Sequence, residues 1–372
     1  MCGIIGILGQ DGSAAERAME ALKRLEYRGY DSAGIATLDG GKLDRRRAAG
    51  KLSNLQALLL EQPITGRTGI GHTRWATHGA ATTSNAHPHF AGPVALVHNG
   101  IIENFRRLRE DLEAKGHVFE TETDTETVAH LISAKLSDGL APVDAVKAAL
   151  AELEGAFALS ILIEGHDDLL IGARKGSPLV IGVGDGEMFL GSDALAVAPF
   201  TNRVVYLEEG DCCVLSRTSY VIYEEGGAEV SRPQSVVQAA GAAVEKGNYR
   251  HFMQKEIFEQ PTVVAQTLGS YLRQSDNSVA LPQFDFDLSQ IKRVTIVACG
   301  TSFYAGMVAK YWFEQFARVP VDIDVASEFR YREPVLEEGG LALFISQSGE
   351  TADTLAALRH CKANGQTIAV VV

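Results

Sequence analysis

The chain has 372 residues, 46% hydrophobic and 22% charged, which is enough for two globular domains with buried cores. Acidic residues outnumber basic residues 47 to 34, and the formal charge of −13 disfavours nucleic acid or an anionic membrane as the main partner. No apolar run approaches the roughly 18 residues of a membrane span, and the N-terminus lacks the basic leader of a signal peptide. Five cysteines without CxxC spacing are typical of a reducing cytoplasm, so we expect a cytoplasmic protein.

Strand and helix patterns alternate over about the first 220 residues. Strand-like runs are predicted at 2–8, 67–76 and 93–98, and helices with apolar residues at helical spacing are predicted at 14–26, 103–115 and 144–153. From 156 to 223 the chain reads as strands separated by turn signals. These patterns predict a sheet-rich domain of the α+β class with helices packed outside.

A second pattern follows a Gly-, Ala- and Pro-containing linker at 225–248 and a helical stretch through residues 252–263. Strands are predicted at 293–298, 341–345 and 367–372, with helices at 303–316 and 352–363 between them. This order predicts a parallel sheet with helical crossovers. Because the chain stops at Ala-Val-Val-Val inside a strand, we expect a truncated sheet; a short natural variant with an edge strand is the alternative.

Cys2 becomes the first residue if Met1 is removed, and it then carries both a thiol and a free α-amine. An α-amine has a pKa of about 7.7–8.0, which suits general base work near neutral pH. One residue can therefore supply nucleophile and base, and with Met1 retained the site should be inactive. The alternative is a small buried strand cysteine, the common environment of free cysteines.

Three segments with polar residues, 71–79, 98–100 and 121–126, interrupt the sequence patterns that predict strands. Arg74 offers a planar fork for a carboxylate, and the Asn99 amide with the Gly100 N–H can form an oxyanion hole. A carboxylate in 121–126 can hold an ammonium group. Each segment has an ordinary alternative: a surface ion pair for Arg74, a turn for Asn99-Gly100, and a helix N-cap for Asp124.

Taken in order, residues 2–6, 25–34, 72–79, 98–100 and 123–126 resemble the glutaminase domain of the class II glutamine amidotransferases. Segment 25–34, Leu-Glu-Tyr-Arg-Gly-Tyr-Asp-Ser-Ala-Gly, is similar to the subgroup that aminates fructose 6-phosphate. The resemblance implies an N-terminal nucleophile hydrolase fold, an αββα sandwich. It also implies the site roles: Cys2 as thioester-forming nucleophile, Asn99 and Gly100 as oxyanion hole, Arg74 for the glutamine carboxylate, Asp124 for its ammonium, Thr77 and His78 as pocket lining, and Trp75 as gate.

Two turns rich in Ser and Thr, 299–302 and 346–351, each follow a predicted strand and open a predicted helix. Helix N-termini beyond the ends of parallel strands favour anions, so the pair indicates a phosphate site; ordinary helix capping is the alternative. The turns resemble the sugar isomerase (SIS) domain. That resemblance implies fructose 6-phosphate contacts from Thr301, Ser302, Ser346, Gln347, Ser348 and Thr351, while the isomerising residues lie in a second SIS domain absent from this chain.

The expected organisation is a glutaminase domain at 1–224, a linker and helical connection at 225–285, and an incomplete SIS domain at 286–372. By resemblance, ammonia from glutamine is transferred to fructose 6-phosphate to form glucosamine 6-phosphate and glutamate. We expect no cofactor or metal, a homodimer in the full-length form, and glutaminase activity at most from this chain. The alternatives are another class II glutamine amidotransferase and a non-catalytic sugar-phosphate-binding module.

Overall fold

The protein is described from a computed structural model. It describes residues 2–26, 29–76, 79–237, 251–273, 278–279, 284–332, 334–349 and 351–372. The chain divides into two compact units, Met1–Phe252 and Met253–Val372. No helix among the described residues combines the length and apolar character needed to cross a membrane.

The first unit alternates strands and helices before ending in a run of strands. In chain order its elements are β1 (Gly3–Leu8), α1 (Ala14–Leu25), β2 (Ser32–Asp39), β3 (Lys42–Ala49), α2 (Leu52–Glu61), β4 (Thr68–Arg74), β5 (His89–Ala91), β6 (Val94–Ile102), α3 (Phe105–Ala114), α4 (Asp124–Ser137), α5 (Pro142–Leu150), β7 (Gly155–Ile163), β8 (Leu170–Lys175), β9 (Val180–Val183), β10 (Met188–Gly191), α6 (Ala194–Val197), β11 (Arg203–Tyr206), β12 (Cys212–Leu215), β13 (Tyr220–Tyr223), β14 (Glu229–Val230) and β15 (Gln234–Val236).

Two antiparallel sheets stack at the centre of this unit. Within the described residues, the first sheet has the order β15-β11-β9-β10-β1-β4-β2-β3 and the second β14-β13-β12-β8-β7-β6-β5. A buried apolar layer, which includes Ile4, Val97 and Leu190, fills the space between them. Helices α1 and α2 pack on the outer face of the first sheet, and α3, α4 and α5 on that of the second. This is the predicted αββα sandwich.

Strand β1 lies in the middle of the first sheet, between β10 and β4. Its first residue, Gly3, is opposite Thr73 near the end of β4. All six residues of β1 are buried, which explains why Gly-Ile-Ile-Gly-Ile-Leu reads as a continuous apolar run. The register places Cys2, immediately before β1, beside the residues that follow Thr73.

Strand β6 is longer than the sequence pattern predicted. The prediction ended it at residue 98, with a possible turn at Asn99-Gly100, but the strand continues to Ile102 and pairs with β7 along its whole length. Gly100 stays in the ladder opposite Phe157 with φ +117°. A turn at Asn99-Gly100 is therefore wrong: long-range pairing with β7 overrides the local turn preference of the pair.

The second unit contains a parallel sheet after an initial helix. In chain order its elements are α7 (Phe252–Tyr271), β16 (Leu272–Arg273), β17 (Ser278–Val279), β18 (Val294–Ala298), α8 (Gly300–Trp312), β19 (Val321–Val325), α9 (Ala326–Phe329), β20 (Leu341–Ile345), α10 (Ala352–Ala363) and β21 (Thr367–Val371). Four parallel strands in the order β19-β18-β20-β21 form the main sheet described here. The predicted parallel sheet with helical crossovers is confirmed; strand β19 was not predicted.

The segment between the two patterns is only partly a linker. Short strands β14 and β15 lie beyond residue 224 and add edges to the two sheets of the first unit. Residues 238–250 of the predicted linker lie outside the described part of the chain, and the domain boundaries at 224 and 285 stay predictions. The predicted helical stretch through 252–263 is confirmed as part of α7.

Candidate active site

Cys2 lies at the start of β1, and its thiol contacts the backbone of Trp75. The Trp75 N–H donates to Cys2 Sγ at 3.2 Å, and Sγ is 3.5 Å from the Trp75 carbonyl oxygen. Burial raises the pKa of the Cys2 thiol, an effect that the Trp75 N–H and the Arg74 charge partly oppose. The resting group is therefore the protonated thiol, and a nearby base is needed to make the nucleophile.

The segment that follows β4 is held in place by the motif around Asp31. The Asp31 carboxylate accepts a hydrogen bond from Ala76 N–H at 2.9 Å, and Asp31 N–H donates to the Arg74 carbonyl at 3.0 Å. A Cβ on Gly29 would lie 2.6 Å from the Arg74 carbonyl carbon, so only glycine permits this approach. These contacts fix the backbone that carries Arg74 and Trp75 to Cys2.

Arg74 is the last residue of β4, and its side chain is 3% exposed. Its guanidinium donates to the carbonyl oxygens of Ala80 at 3.1 Å and Gly79 at 3.3 Å. Burial lowers the pKa of Arg74, while Cys2 and Asp124 oppose that shift. The alternative of a surface ion pair is wrong, because the cation is buried beside the thiol.

Asn99 and Gly100 lie next to Cys2 in the second sheet. Asn99 Nδ2 donates to the Cys2 carbonyl oxygen at 3.0 Å. A Cβ on Gly100 would lie 2.0 Å from the Ala156 carbonyl oxygen of β7, so this position accepts glycine alone. Both residues therefore lie beside Cys2: Asn99 through its hydrogen bond to the Cys2 carbonyl oxygen, and Gly100 in the lining of the pocket that Cys2 shares.

Asp124 begins α4 and is 5% exposed. The sequence alternative made it the N-cap of this helix, but Thr123 occupies that position and accepts from Glu126 N–H. The Asp124 carboxylate accepts a hydrogen bond from Ile102 N–H at 2.9 Å instead. Because a hydroxyl supplies the cap, the carboxylate can face the pocket beside β6.

Glu126, in the first turn of α4, fixes the loop before that helix. Its carboxylate accepts hydrogen bonds from Glu120 N–H at 2.8 Å, Thr121 N–H at 2.7 Å and the Thr121 hydroxyl at 2.7 Å. Burial alone would raise the pKa of Glu126, but the hydrogen bonds from His130 and from these groups lower it to about 2. The ionised carboxylate therefore stabilises the folded loop.

Glu126→Gln is expected to lower the free energy of unfolding by about 3 kcal/mol at neutral pH. The folded-state pKa is below its unfolded value near 4.5, so the stabilisation is complete above that pH and is lost as pH falls toward 2. Urea unfolding of both proteins between pH 7 and pH 2.5 measures the difference, which should shrink with acid. A pH-independent difference would contradict the assignment, and Glu113→Gln, in an exposed pair with Arg109, should differ little from wild type.

One pocket brings most of these groups together. Its lining consists of Cys2, Arg74, Trp75, His87, His98, Gly100, Thr123, Asp124 and Thr125. Five of these were predicted from the sequence. The sequence reasoning assigned no role to the other four, although His98, Thr123 and Thr125 stand in the quoted segments. His87 lies between two of those segments. Thr125 Oγ1 bridges the two histidines, at 2.9 Å from His87 Nε2 and 3.0 Å from His98 Nδ1.

Asn99, the predicted oxyanion donor, contacts the Cys2 backbone but is not among the residues that line this pocket. Trp75 is 45% exposed, and its ring meets Tyr30 edge-on with centroids 5.5 Å apart. Thr77 and His78 lie outside the described residues. Across the described ranges, no group of three His, Cys, Asp or Glu side chains is arranged to hold a metal ion.

The two Ser/Thr segments of the second unit, 299–302 and 346–351, lie side by side. The first was predicted as a turn before a helix at 303, but α8 already begins at Gly300, so Thr301 and Ser302 lie in its first turn. Strands β18 and β20 are parallel neighbours, and Ala298 is opposite Ile345, so the turns after them meet at one edge of the sheet. Ser346 is 7% exposed, and its hydroxyl accepts from Gly349 N–H at 3.1 Å. Thr351 occupies the N-cap position of α10 but makes no side-chain cap hydrogen bond to a described residue.

Comparison with known proteins identifies both parts of the chain. A glutamine amidotransferase domain model matches residues 72–198, and a SIS domain model matches residues 287–372. The glutamine–fructose-6-phosphate aminotransferase (isomerizing) of Zymomonas mobilis subsp. mobilis is 66% identical over 100% of this chain and 61% of its own length. The protein of the same name from Brucella abortus biovar 1 is 60% identical with the same coverage.

A solved structure confirms the fold. The glutamine phosphoribosylpyrophosphate amidotransferase of B. subtilis matches with a TM-score of 0.52 over 99% of this chain and 81% of that chain, at 21% identity. The N-terminal nucleophile hydrolase fold is thereby confirmed. The chain spans 61% of the length of the curated relatives named above. A glutamine amidotransferase domain is thus followed by a SIS domain, and the chain is similar along its whole length to the glutamine–fructose-6-phosphate aminotransferases.

Proposed function

We propose that the processed chain hydrolyses glutamine at the Cys2 pocket, and that the whole protein transfers the ammonia to fructose 6-phosphate to give glucosamine 6-phosphate and glutamate. The observation that carries this proposal is the convergence of a thiol, a buried arginine and a buried carboxylate on one pocket. The 66% identity to the glutamine–fructose-6-phosphate aminotransferase of Zymomonas mobilis supports the same reaction.

Substrate binding follows from the charges at the pocket wall. Arg74 binds the α-carboxylate of glutamine, because a guanidinium fork matches two carboxylate oxygens. Asp124 binds the α-ammonium group. Both charges are buried, so they attract the zwitterionic end of the substrate more strongly than exposed groups would. The side-chain amide of the bound glutamine then points toward Cys2.

Attack by Cys2 begins with proton transfer from the thiol to its own α-amine, which is free once Met1 is removed. Sulfur forms a bond to the amide carbon, and the carbonyl electron pair moves to oxygen. Asn99 Nδ2 and Gly100 N–H donate to that oxyanion. Collapse of the intermediate breaks the C–N bond, and the α-ammonium of Cys2 gives its proton to the leaving nitrogen. Ammonia leaves, and the glutamyl group remains on Cys2 as a thioester.

The second half of the cycle hydrolyses the thioester. Water loses a proton to the α-amine and attacks the thioester carbon through the same oxyanion hole. Breakage of the C–S bond releases glutamate, and the proton returns to sulfur. Trp75 lines the pocket and is 45% exposed, which supports a role as its gate. Thr77 and His78 are proposed as glutamine-binding residues from the resemblance alone. Each atom is accounted for without a cofactor.

The ammonia acceptor is fructose 6-phosphate, bound at the two turns of the SIS domain. Parallel strands and the helix N-termini after them present N–H groups and hydroxyls that suit a phosphate. The proposed contacts are Thr301, Ser302, Ser346, Gln347, Ser348 and Thr351. We further propose that the full-length protein is a cytoplasmic homodimer, and that this chain alone has glutaminase activity at most.

The proposal is tested by incubating the processed chain with L-glutamine and measuring glutamate and ammonia in equal amounts. L-asparagine, one methylene shorter, is the matched control, because its amide does not reach Cys2 when the α-groups are bound. Ammonia release from both amides at similar rates, or from neither, would refute a glutamine-specific site. Intact mass of each preparation reports Met1 removal, with which activity should scale.

Arg74→Lys is expected to raise the KM for glutamine about 10–100-fold with a smaller change in kcat. Lysine keeps the charge but loses the bidentate fork, so the binding of the substrate and the binding of the transition state are weakened by similar amounts. Steady-state kinetics measure both constants. An unchanged KM would refute the carboxylate role. Arg74→Ala should have the larger effect, since the contacts to Gly79 and Ala80 are lost as well.

A further inference from the structure

His72 lies in β4, fully buried, two residues before Arg74. Its Nε2 is 3.0 Å from Asn99 Oδ1 and 3.0 Å from the His98 carbonyl oxygen. A nitrogen that faces two oxygen acceptors must carry the hydrogen, which fixes the tautomer. Burial lowers the pKa of His72 to about 3, so at neutral pH the ring is uncharged and its one N–H is at Nε2.

The orientation of the Asn99 amide is determined at both of its ends. Oδ1 accepts from His72, and Nδ2 donates to the Cys2 carbonyl oxygen at 3.0 Å. If the amide turned over, its NH2 group would face the His72 N–H and its oxygen would face the Cys2 carbonyl. Both contacts would then be repulsive, because each would join two donors or two acceptors.

We propose that His72 is a positioning residue for the oxyanion hole. Its Nε2–H holds the Asn99 amide so that Nδ2 faces the substrate carbonyl that Cys2 attacks. The inference rests on the proposed function, in which Asn99 donates to the oxyanion. A donor that is already aimed needs no reorientation when charge develops, and this preorganisation is the main source of such stabilisation. Neither His72 nor Asn99 is among the residues that line the pocket. His72 acts through Asn99, whose amide reaches the Cys2 carbonyl oxygen.

Two substitutions of similar size separate the hydrogen bond from packing. In His72→Gln the amide nitrogen is as many bonds from Cβ as Nε2 of histidine, so a donor remains. His72→Met fills similar space without a donor. We expect His72→Met to lower kcat for glutamine hydrolysis about 100-fold with KM within about threefold of wild type, and His72→Gln to stay within about fivefold in kcat.

Alkylation of Cys2 by iodoacetamide gives a readout that forms no oxyanion. It should proceed at the wild-type rate in both variants, because the thiol and its Trp75 contacts are intact. His117→Met is the matched control: this half-buried histidine contacts His130 rather than the pocket lining, and wild-type kcat is expected. In an Asn99→Ala background, His72→Met should cost nothing further, since the group it positions is gone.

The outcomes are distinct. If wild-type protein lacking Met1 does not hydrolyse glutamine, the proposed function fails before His72 is considered. If wild type is active and His72→Met keeps its kcat, the positioning role is overturned. Parallel loss of kcat and alkylation in His72→Met would make His72 a structural residue only, and additive effects of His72→Met and Asn99→Ala would show that it does not act through Asn99.

Discussion

Replacing Cys2 with alanine is expected to reduce glutamine hydrolysis on the order of 10⁵-fold, to the background rate. The substitution removes the atom that forms the thioester, and no other thiol lines the pocket in the described part of the chain. Because the methyl group is smaller than the thiol, Arg74 and Asp124 should still bind glutamine. Loss of turnover with retained binding therefore separates nucleophilic from binding roles.

The measurement is glutamate release together with glutamine binding by calorimetry. Cys212→Ala is the matched control, since Cys212 is buried in β12 of the same unit and burial raises its thiol pKa to about 12. That variant should hydrolyse glutamine at the wild-type rate, apart from a modest loss of stability. Hydrolysis by Cys2→Ala within tenfold of wild type would end the assignment of Cys2.

Gly100→Ala is expected to lower both kcat and stability. The added Cβ would lie 2.0 Å from the Ala156 carbonyl oxygen, a backbone atom, and φ of +117° is strained for any residue with a side chain. Strands β6 and β7 must separate, which moves the Gly100 N–H away from the oxyanion position. We expect kcat to fall 10²–10³-fold and the unfolding free energy to fall by about 3 kcal/mol.

Gly139→Ala isolates the steric part of this effect. Gly139 also has a positive φ, +91°, but a Cβ there would meet no described atom within 4 Å. Its cost should be about 1 kcal/mol of backbone strain with wild-type kcat. Thermal melts and steady-state kinetics on both variants make the comparison. Equal behaviour of the two alanine variants would show that close packing of β6 on β7 does not set the oxyanion geometry.

The two halves of the protein place chemistry at strand ends in different ways. In the first unit, antiparallel strands from two stacked sheets bring Cys2, Arg74 and Gly100 to one pocket. In the second, two parallel strands end side by side, so their turns meet at the edge of one sheet. A parallel sheet is easier to foresee, because neighbouring strands in the sequence pattern predict neighbouring turns.

Much of the chemistry was predictable from local sequence. Cys2 was singled out because an N-terminal cysteine combines a thiol and an amine, whatever the fold around it. The bounds of β20 and α10 were predicted to the residue, since apolar runs and helical spacing are local properties. Strands β2, β3 and β19 were missed. Most residues of β3 are polar, and it lies at the edge of its sheet; in β19 apolar residues alternate with aspartates.

Contacts between distant segments decided the rest. The sequence alone determined which residue types could act and the fold class in which they stand. Only the tertiary structure decided that Asn99-Gly100 continues a strand, that Thr123 caps α4 in place of Asp124, and that His72 orients Asn99. Each of these depends on partners 20 or more residues away or on competition between neighbouring groups for one hydrogen bond, which local propensity does not encode.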